Sequence, residues 1–192
     1  GAGFSSAGGV ATCAAACVLA GLDRLPALTL DEAWTGLYAT RLTEQGFYTP
    51  HAMNTYTGPL YGLVLSQALA AWGMSVRALR LPGALANVAA FLLAGWQLRR
   101  RGGGEAAAWY GVLLASSAYL LLKSRLAWDV YALQPLLLAV TMTILDRPAS
   151  RPRAFLFMAV TLVGVQNHFI YLSVPISLVV LFACRAAWRG EE

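Results

Sequence analysis

The residues of this 192-residue chain that could do chemistry fall into a few tight groups. Asp31 and Glu32 are adjacent carboxylates. Arg77 and Arg80 lie three residues apart, so on a helix they share one face. Lys123 and Arg125 form a second basic pair, Asp129 follows, and Asn167-His168 lies further on. Guanidinium forks match phosphate oxygens bidentately, so a lipid phosphate or pyrophosphate suits Arg77 and Arg80, with Lys123 and Arg125 as further cations. Asp31-Glu32 serves either as a helix N-terminus, where the dipole favours acids, or as a base or metal ligand. Asp129 either pairs with Arg125, four residues earlier, or meets a substrate. His168 is either a satisfied interfacial side chain or a contact to metal or substrate. Tyr56 and Tyr61 fit an aromatic belt or stacking on a sugar ring, and His51 lies beside them. No P-loop, HExxH, GxSxG or dinucleotide fingerprint is present.

Composition decides what kind of element must hold these groups. Apolar residues make up 58% and charged residues 12%, against roughly 25% charged in a soluble domain. Mean hydropathy is +0.59. So few charges cannot cover a soluble surface, which excludes a water-soluble, disordered or coiled-coil chain. The expectation is an all-α, polytopic transmembrane helical bundle of about six spans. The runs are 6–22, 75–98, 106–122, 130–145, 154–168 and 170–184. The last two come from one apolar stretch too long for a single upright span, divided at Gln166-Asn167-His168. A signal peptide is the alternative for the first run. Residues 23–74 form the first outer loop with two interfacial helices. One starts at Thr29 or Asp31 and ends at Gln45, with Leu37, Tyr38 and Leu42 on one face. The other runs from Leu60 to Trp72, between Gly58-Pro59 and Gly73.

Net charge is +5. The arginines sit at the ends of apolar runs, which follows the positive-inside rule rather than nucleic-acid binding. Arg99–Arg101, Arg147/Arg151/Arg153 and Arg185/Arg189 mark the cytoplasmic side. The 23–57 loop, the 123–129 loop and His168 fall on the other. This reads as a multi-pass protein of a bacterial or archaeal plasma membrane. Cys13, Cys17 and Cys184 fit no disulfide or zinc pattern and read as small buried hydrophobes. The ends read as those of a fragment, or of a compact form, of a longer protein.

Four segments carry a family resemblance. They are Leu30-Asp31-Glu32-Ala33-Trp34, Tyr56-Thr57-Gly58-Pro59-Leu60-Tyr61, Gly73-Met74-Ser75-Val76-Arg77-Ala78-Leu79-Arg80-Leu81-Pro82, and Ser124-Arg125-Leu126-Ala127-Trp128-Asp129. Their order resembles the GT-C superfamily of membrane glycosyltransferases, such as the protein O-mannosyltransferases and lipid A aminoarabinose transferases. The resemblance runs from about residue 10 to 185. It implies transfer of a sugar from a polyprenyl-phosphate donor to a lipid, glycan or protein acceptor on the non-cytoplasmic face, with inversion. It implies Asp31 as the catalytic carboxylate, with Glu32 supporting it by orienting an arginine or the acceptor. Arg77, Arg80, Lys123 and Arg125 would hold the donor phosphate, and His51, Tyr56, Tyr61 and Asp129 would line the substrate. Some family members bind a divalent metal; here Asp129 and His168 are the available positions, without an Asp-x-Asp pair. Family members usually have more spans and often a soluble C-terminal domain. A second class fits the same bundle: a non-catalytic anionic-lipid-binding or transporter-like protein, with Arg77 and Arg80 on the headgroup.

Overall fold

The computed structural model describes residues 15–46, 55–146 and 150–189. Residues 6–14 of the first apolar run, and His51, lie outside them. The described elements are α1 (15–19), α2 (Leu30–Gln45), α3 (Leu60–Trp72), α4 (Val76–Ser116), α5 (Ala118–Lys123) and α6 (Asp129–Ala132). They continue with α7 (Gln134–Leu145), α8 (Arg151–Asn167), a 3-10 turn (Phe169–Leu172) and α9 (Ser173–Arg189). The protein is all-helical among the described residues, with one isolated antiparallel bridge between Thr57 and His168.

Each helix end has a local cause. Thr29 begins α2: its hydroxyl accepts from the Glu32 N–H, and the Glu32 carboxylate accepts from the Thr29 N–H. Two orphan donors are thereby satisfied reciprocally. Gly73 ends α3 at φ 78°, where a side chain would be strained. Asn167 ends α8, because His168 is extended, and the apolar stretch breaks there. The expected face of α2 needs one correction. Tyr38 and Leu42 are buried, but Leu37 is 54% exposed. The helix presents Thr35, Tyr38, Ala39 and Leu42 at 3- and 4-residue spacing to α3, and Leu37 falls off that stripe. Contact there is close: a Cβ on Gly62 of α3 would lie 2.7 Å from Tyr38 and Leu42.

Helix α4 is long and apolar enough to cross a membrane. It is two helices, because Gly103 has non-helical angles (φ 77°, ψ −172°). Gly95 faces Tyr110, and Ala84 shares an apolar cluster with Leu121. Both pairs centre on the Gly102-Gly103 bond, so the chain doubles back there as an antiparallel hairpin. The following segment returns parallel to the first half of α4. The Asn87 side-chain amide donates to the Tyr131 carbonyl at 2.7 Å, Gln97 to Ala139 at 2.8 Å, and Arg101 to Asp146 at 2.6 Å. The partners advance together along both helices, which fixes the register. Helix α8 packs back on α7, and the 3-10 turn ties to α7 as well, with the Thr141 and Tyr171 hydroxyls 2.6 Å apart; α9 packs on that turn.

Polar side chains are buried between helices beside the apolar core, while many large apolar side chains are exposed. Glu32, Arg80, Asn87, Gln97, Asp129, Thr141 and Asn167 are buried. Trp109, Leu113, Phe155, Leu162 and Val179 are each more than 60% exposed. Buried polar groups joining helices, under an apolar exterior, are what a helical bundle in lipid requires.

The close approaches are testable. A Cβ on Gly58 would lie 1.8 Å from the Gln166 carbonyl oxygen, whereas one on Gly104 meets nothing within 4 Å. Gly58→Ala should lower stability by about 1–3 kcal/mol. Gly104→Ala should be neutral, or stabilising by up to about 1 kcal/mol. Thermal unfolding of the purified protein in detergent distinguishes them.

Candidate active site

Glu32 and Arg80 meet at the buried end of α2. Arg80 Nε donates to Glu32 Oε1 and one terminal nitrogen to Oε2, both at 2.7 Å. The remaining N–H groups donate to the carbonyls of Leu22, Pro26 and Ala27. All five guanidinium donors are thus used. Glu32 also accepts from the Ala127 N–H at 3.0 Å and from Thr29. Both side chains are wholly buried. Burial acts to raise the Glu32 carboxyl, but Arg80, Ala127 and Thr29 outweigh it and hold it below its ordinary 4.5.

This geometry corrects one expectation. Arg80 and Arg77 do not act as a pair, since Arg77 is exposed at the start of α4 while Arg80 turns inward with no donor left for a phosphate. Of the two partners expected for Glu32, an arginine or an acceptor, its oxygens meet the arginine. Arg125 is also corrected. It is 8% exposed and donates to the carbonyls of Cys17 and Ala20, at the C-terminal end of α1. A cation is favoured at that end of a helix.

Asp129 is the second buried carboxylate. It does not pair with Arg125. Its Oδ2 accepts from the Thr57 hydroxyl at 3.0 Å and lies 3.9 Å from His168 Nε2, while its carbonyl accepts from the Asn167 amide at 2.9 Å. The Phe169 N–H donates to the Tyr56 carbonyl at 2.8 Å. The segment before α3, α6 and the α8–α9 junction are clamped at one point. Burial pushes the Asp129 carboxyl above its ordinary value, against Thr57 and His168, and Asp31 adds to the rise.

Asp129 and His168 do come together, yet they do not fit a divalent metal. His168 Nδ1 accepts from the Ile170 N–H at 3.1 Å, so a neutral ring carries its proton on Nε2, the atom facing Asp129. Neither nitrogen then offers a lone pair. Among the described residues no group of three His, Cys, Asp or Glu side chains converges. Tyr61 is wholly buried between α3 and α4, with its hydroxyl near Gly83, so it cannot line a substrate. Tyr56 is 61% exposed at the same end of the bundle.

Asp31 remains partly exposed, next to the locked Glu32. Lys123 Nζ stands 4.8 Å from the Tyr131 ring centroid and 5.8 Å from that of Tyr119. Trp128 packs edge-on to Tyr131 at 5.0 Å. A carboxylate, an ammonium and three aromatic rings therefore gather at one end. Sequence reasoning missed Tyr119, Tyr131 and Trp128, which the aromatic spacing around Lys123 marks, and Thr57, whose partner Asp129 lies 72 residues away and left no sequence signal.

Comparison with protein-family models, with curated proteins and with solved structures returned no significant match.

Removing either member of a buried ion pair leaves the other uncompensated, at a cost of about 3–5 kcal/mol. Arg80→Met and Glu32→Leu should each lose that much, with the double variant losing less than their sum. Arg77→Gln should stay within about 0.5 kcal/mol. The lowered Glu32 value means its contribution is complete above pH 4.5 and lost as pH falls through the folded-state value. Wild type and Glu32→Leu should therefore converge in stability only in acid, as denaturation curves across pH would record.

Proposed function

We propose that the chain is an integral-membrane glycosyltransferase module that moves a sugar from a polyprenyl-phosphate donor to an acceptor on the non-cytoplasmic face. The observation that supports this reading most is Asp31: partly exposed and held at the start of a capped helix, whose next residue, Glu32, is bound to the segment between Lys123 and Tyr131. The family resemblance of the segments around Asp31 and Lys123 points the same way. The apolar exterior and polar interior support a multi-pass bundle, with the arginine clusters on the cytoplasmic side.

Asp31 would take the proton from the acceptor hydroxyl as its oxygen bonds to the anomeric carbon. The bond from that carbon to the phosphate oxygen breaks, and the phosphate leaves with the electron pair. Attack from the opposite face inverts the centre. Arg80 and Arg125 are committed to the fold, so the leaving phosphate falls to Lys123, with Arg77 at the surface. No step is routed through a metal.

Asp31→Asn keeps the shape and removes the base. Turnover with a polyprenyl-phosphate sugar should fall about 10²–10⁴-fold at unchanged melting temperature. Lys123→Gln should raise KM for the donor or lower kcat. The other reading is a non-catalytic anionic-lipid-binding or transporter-like protein, which the commitment of Arg80 to Glu32 leaves with Arg77 alone of its expected headgroup pair. Such a protein would show no turnover to lose.

Sidedness has its own check. In a background lacking the native cysteines, Leu28→Cys and Arg151→Cys, both at exposed positions, should label from opposite sides of a sealed vesicle. Labelling from one side sinks the alternating arrangement.

A further inference from the structure

His168 stands where α8 ends and the chain turns towards α9, and its polar groups reach four neighbouring segments. Its ring Nδ1 accepts from the Ile170 N–H at 3.1 Å and so caps the 3-10 turn. Its Nε2 faces Asp129 Oδ2 of α6 at 3.9 Å. Its carbonyl accepts from the Gln134 amide of α7, and its backbone bridges Thr57 before α3. We infer that His168 is a proton-operated switch: neutral, it caps the Phe169–Leu172 turn, and on taking a proton from solvent it gives up the cap for an ion pair with Asp129.

The two states follow from the chemistry of the ring. An imidazole accepts a hydrogen bond only while it is neutral; protonated, it carries an N–H on both nitrogens. Nδ1–H and the Ile170 N–H would then confront each other as two donors, so the cap is lost and the ring turns away. The gain lies on the other side. At 3.9 Å, Nε2 and Oδ2 are too far apart for a hydrogen bond, and a cationic ring draws them into a charge-assisted one. The proton has a route in, because 16% of the His168 side chain is exposed.

The charges around the ring favour its protonated form. Asp129 of α6 is 1% exposed, and its ion-pair partner among the described residues is His168. The other buried carboxylate, Glu32, has a full cation in Arg80. From α2, the negative charge of Asp31 acts on Asp129. The remaining titratable groups around the junction are phenols: Tyr56 before α3, Tyr61 of α3, and Tyr171 of the turn, whose hydroxyl is bound to Thr141. Gln134 and Thr57 are neutral. Imidazole is the side chain whose charge ordinarily changes between about pH 5 and pH 8. The turn it caps is the part of the chain on which α9 packs, and the Phe169 N–H of that turn holds the Tyr56 carbonyl. Acid therefore loosens the tie that runs from the segment before α3 through the turn to α9. The inference is independent of the reaction proposed at Asp31, no step of which uses His168.

The test is nuclear magnetic resonance of the full chain, labelled with heavy nitrogen, in detergent micelles across the range in which imidazole titrates. The chain has two histidines, so His51→Gln leaves His168 as the one imidazole signal. At the alkaline end Nδ1 should appear unprotonated and Nε2 protonated. On acidification both should carry a proton, and the Ile170 amide should shift with the same midpoint. Hydrogen exchange of the Phe169–Leu172 amides, corrected for its intrinsic pH dependence, should speed up about fivefold across that transition, the change that corresponds to loss of a typical cap. His168→Asn keeps a capping oxygen that does not titrate, so its turn should stay protected at both ends of the range. Asp129→Asn removes the counter-charge, so the transition should need more acid. Where Asp129→Asn melts early, wild type and His168→Asn decide. A proton on Nδ1 at the alkaline end, an Ile170 amide that stays still while the ring titrates, or the same acid response in His168→Asn would overturn the inference.

Discussion

The buried pair of Glu32 and Arg80 is the constraint on which the rest of the Asp31 end depends. Two charges withdrawn from water cost several kcal/mol each, and this pair recovers that through two 2.7 Å bonds plus every remaining donor of the guanidinium. The partners come from far apart in sequence: α2, α4, the carbonyls of residues 22–27 and the N–H of Ala127. No one of these segments can shift without leaving a polar atom unpaired. The consequence for chemistry is geometric. Neighbouring residues on a helix point about 100° apart, so turning Glu32 fully inward turns Asp31 toward the surface.

The same device recurs along the bundle with neutral groups. Asn87, Gln97, and the Thr141–Tyr171 pair each tie one helix to the next through a buried hydrogen bond. Small residues let the backbones approach: a Cβ on Gly83 would lie 2.9 Å from Ala132, and one on Gly164 2.2 Å from the Tyr171 ring. Where lipid and side chain are equally apolar, close packing and internal hydrogen bonds hold helices together in place of the hydrophobic effect.

Local features were legible in the sequence because their causes are local. Thr29 three residues before Glu32 makes a capping box, Gly73 stops a helix, and Gln166-Asn167-His168 interrupts an apolar run. What spacing could not reveal was the partner of each charge. Arg77 and Arg80 have the spacing of a shared face, yet one meets water and the other a carboxylate 48 residues away. Asp129 was judged against its neighbour Arg125, whereas its hydroxyl partner, Thr57, lies 72 residues off. Leu37 looked apolar enough to be buried; the approach of Gly62 selected Tyr38 and Leu42 instead. In each case the deciding contact was set by packing between elements.

The two carboxylates left at the Asp31 end divide the work by environment. Asp129 is sealed behind Thr57, Asn167 and His168, and burial raises its carboxyl, with the neighbouring negative charge of Asp31 acting in the same direction. A group so enclosed suits holding the outer loop against the α8–α9 junction. Asp31 has the opposite surroundings: partial exposure and a helix N-terminus that favours negative charge. Arg80 and Arg125 are satisfied by Glu32 and by backbone carbonyls, whereas Lys123 lies over Tyr131 and Arg77 is exposed. Among the described residues, Asp31 and Lys123 are therefore set on separate elements, above the buried pair that ties α2, α4 and the segment before α6 together.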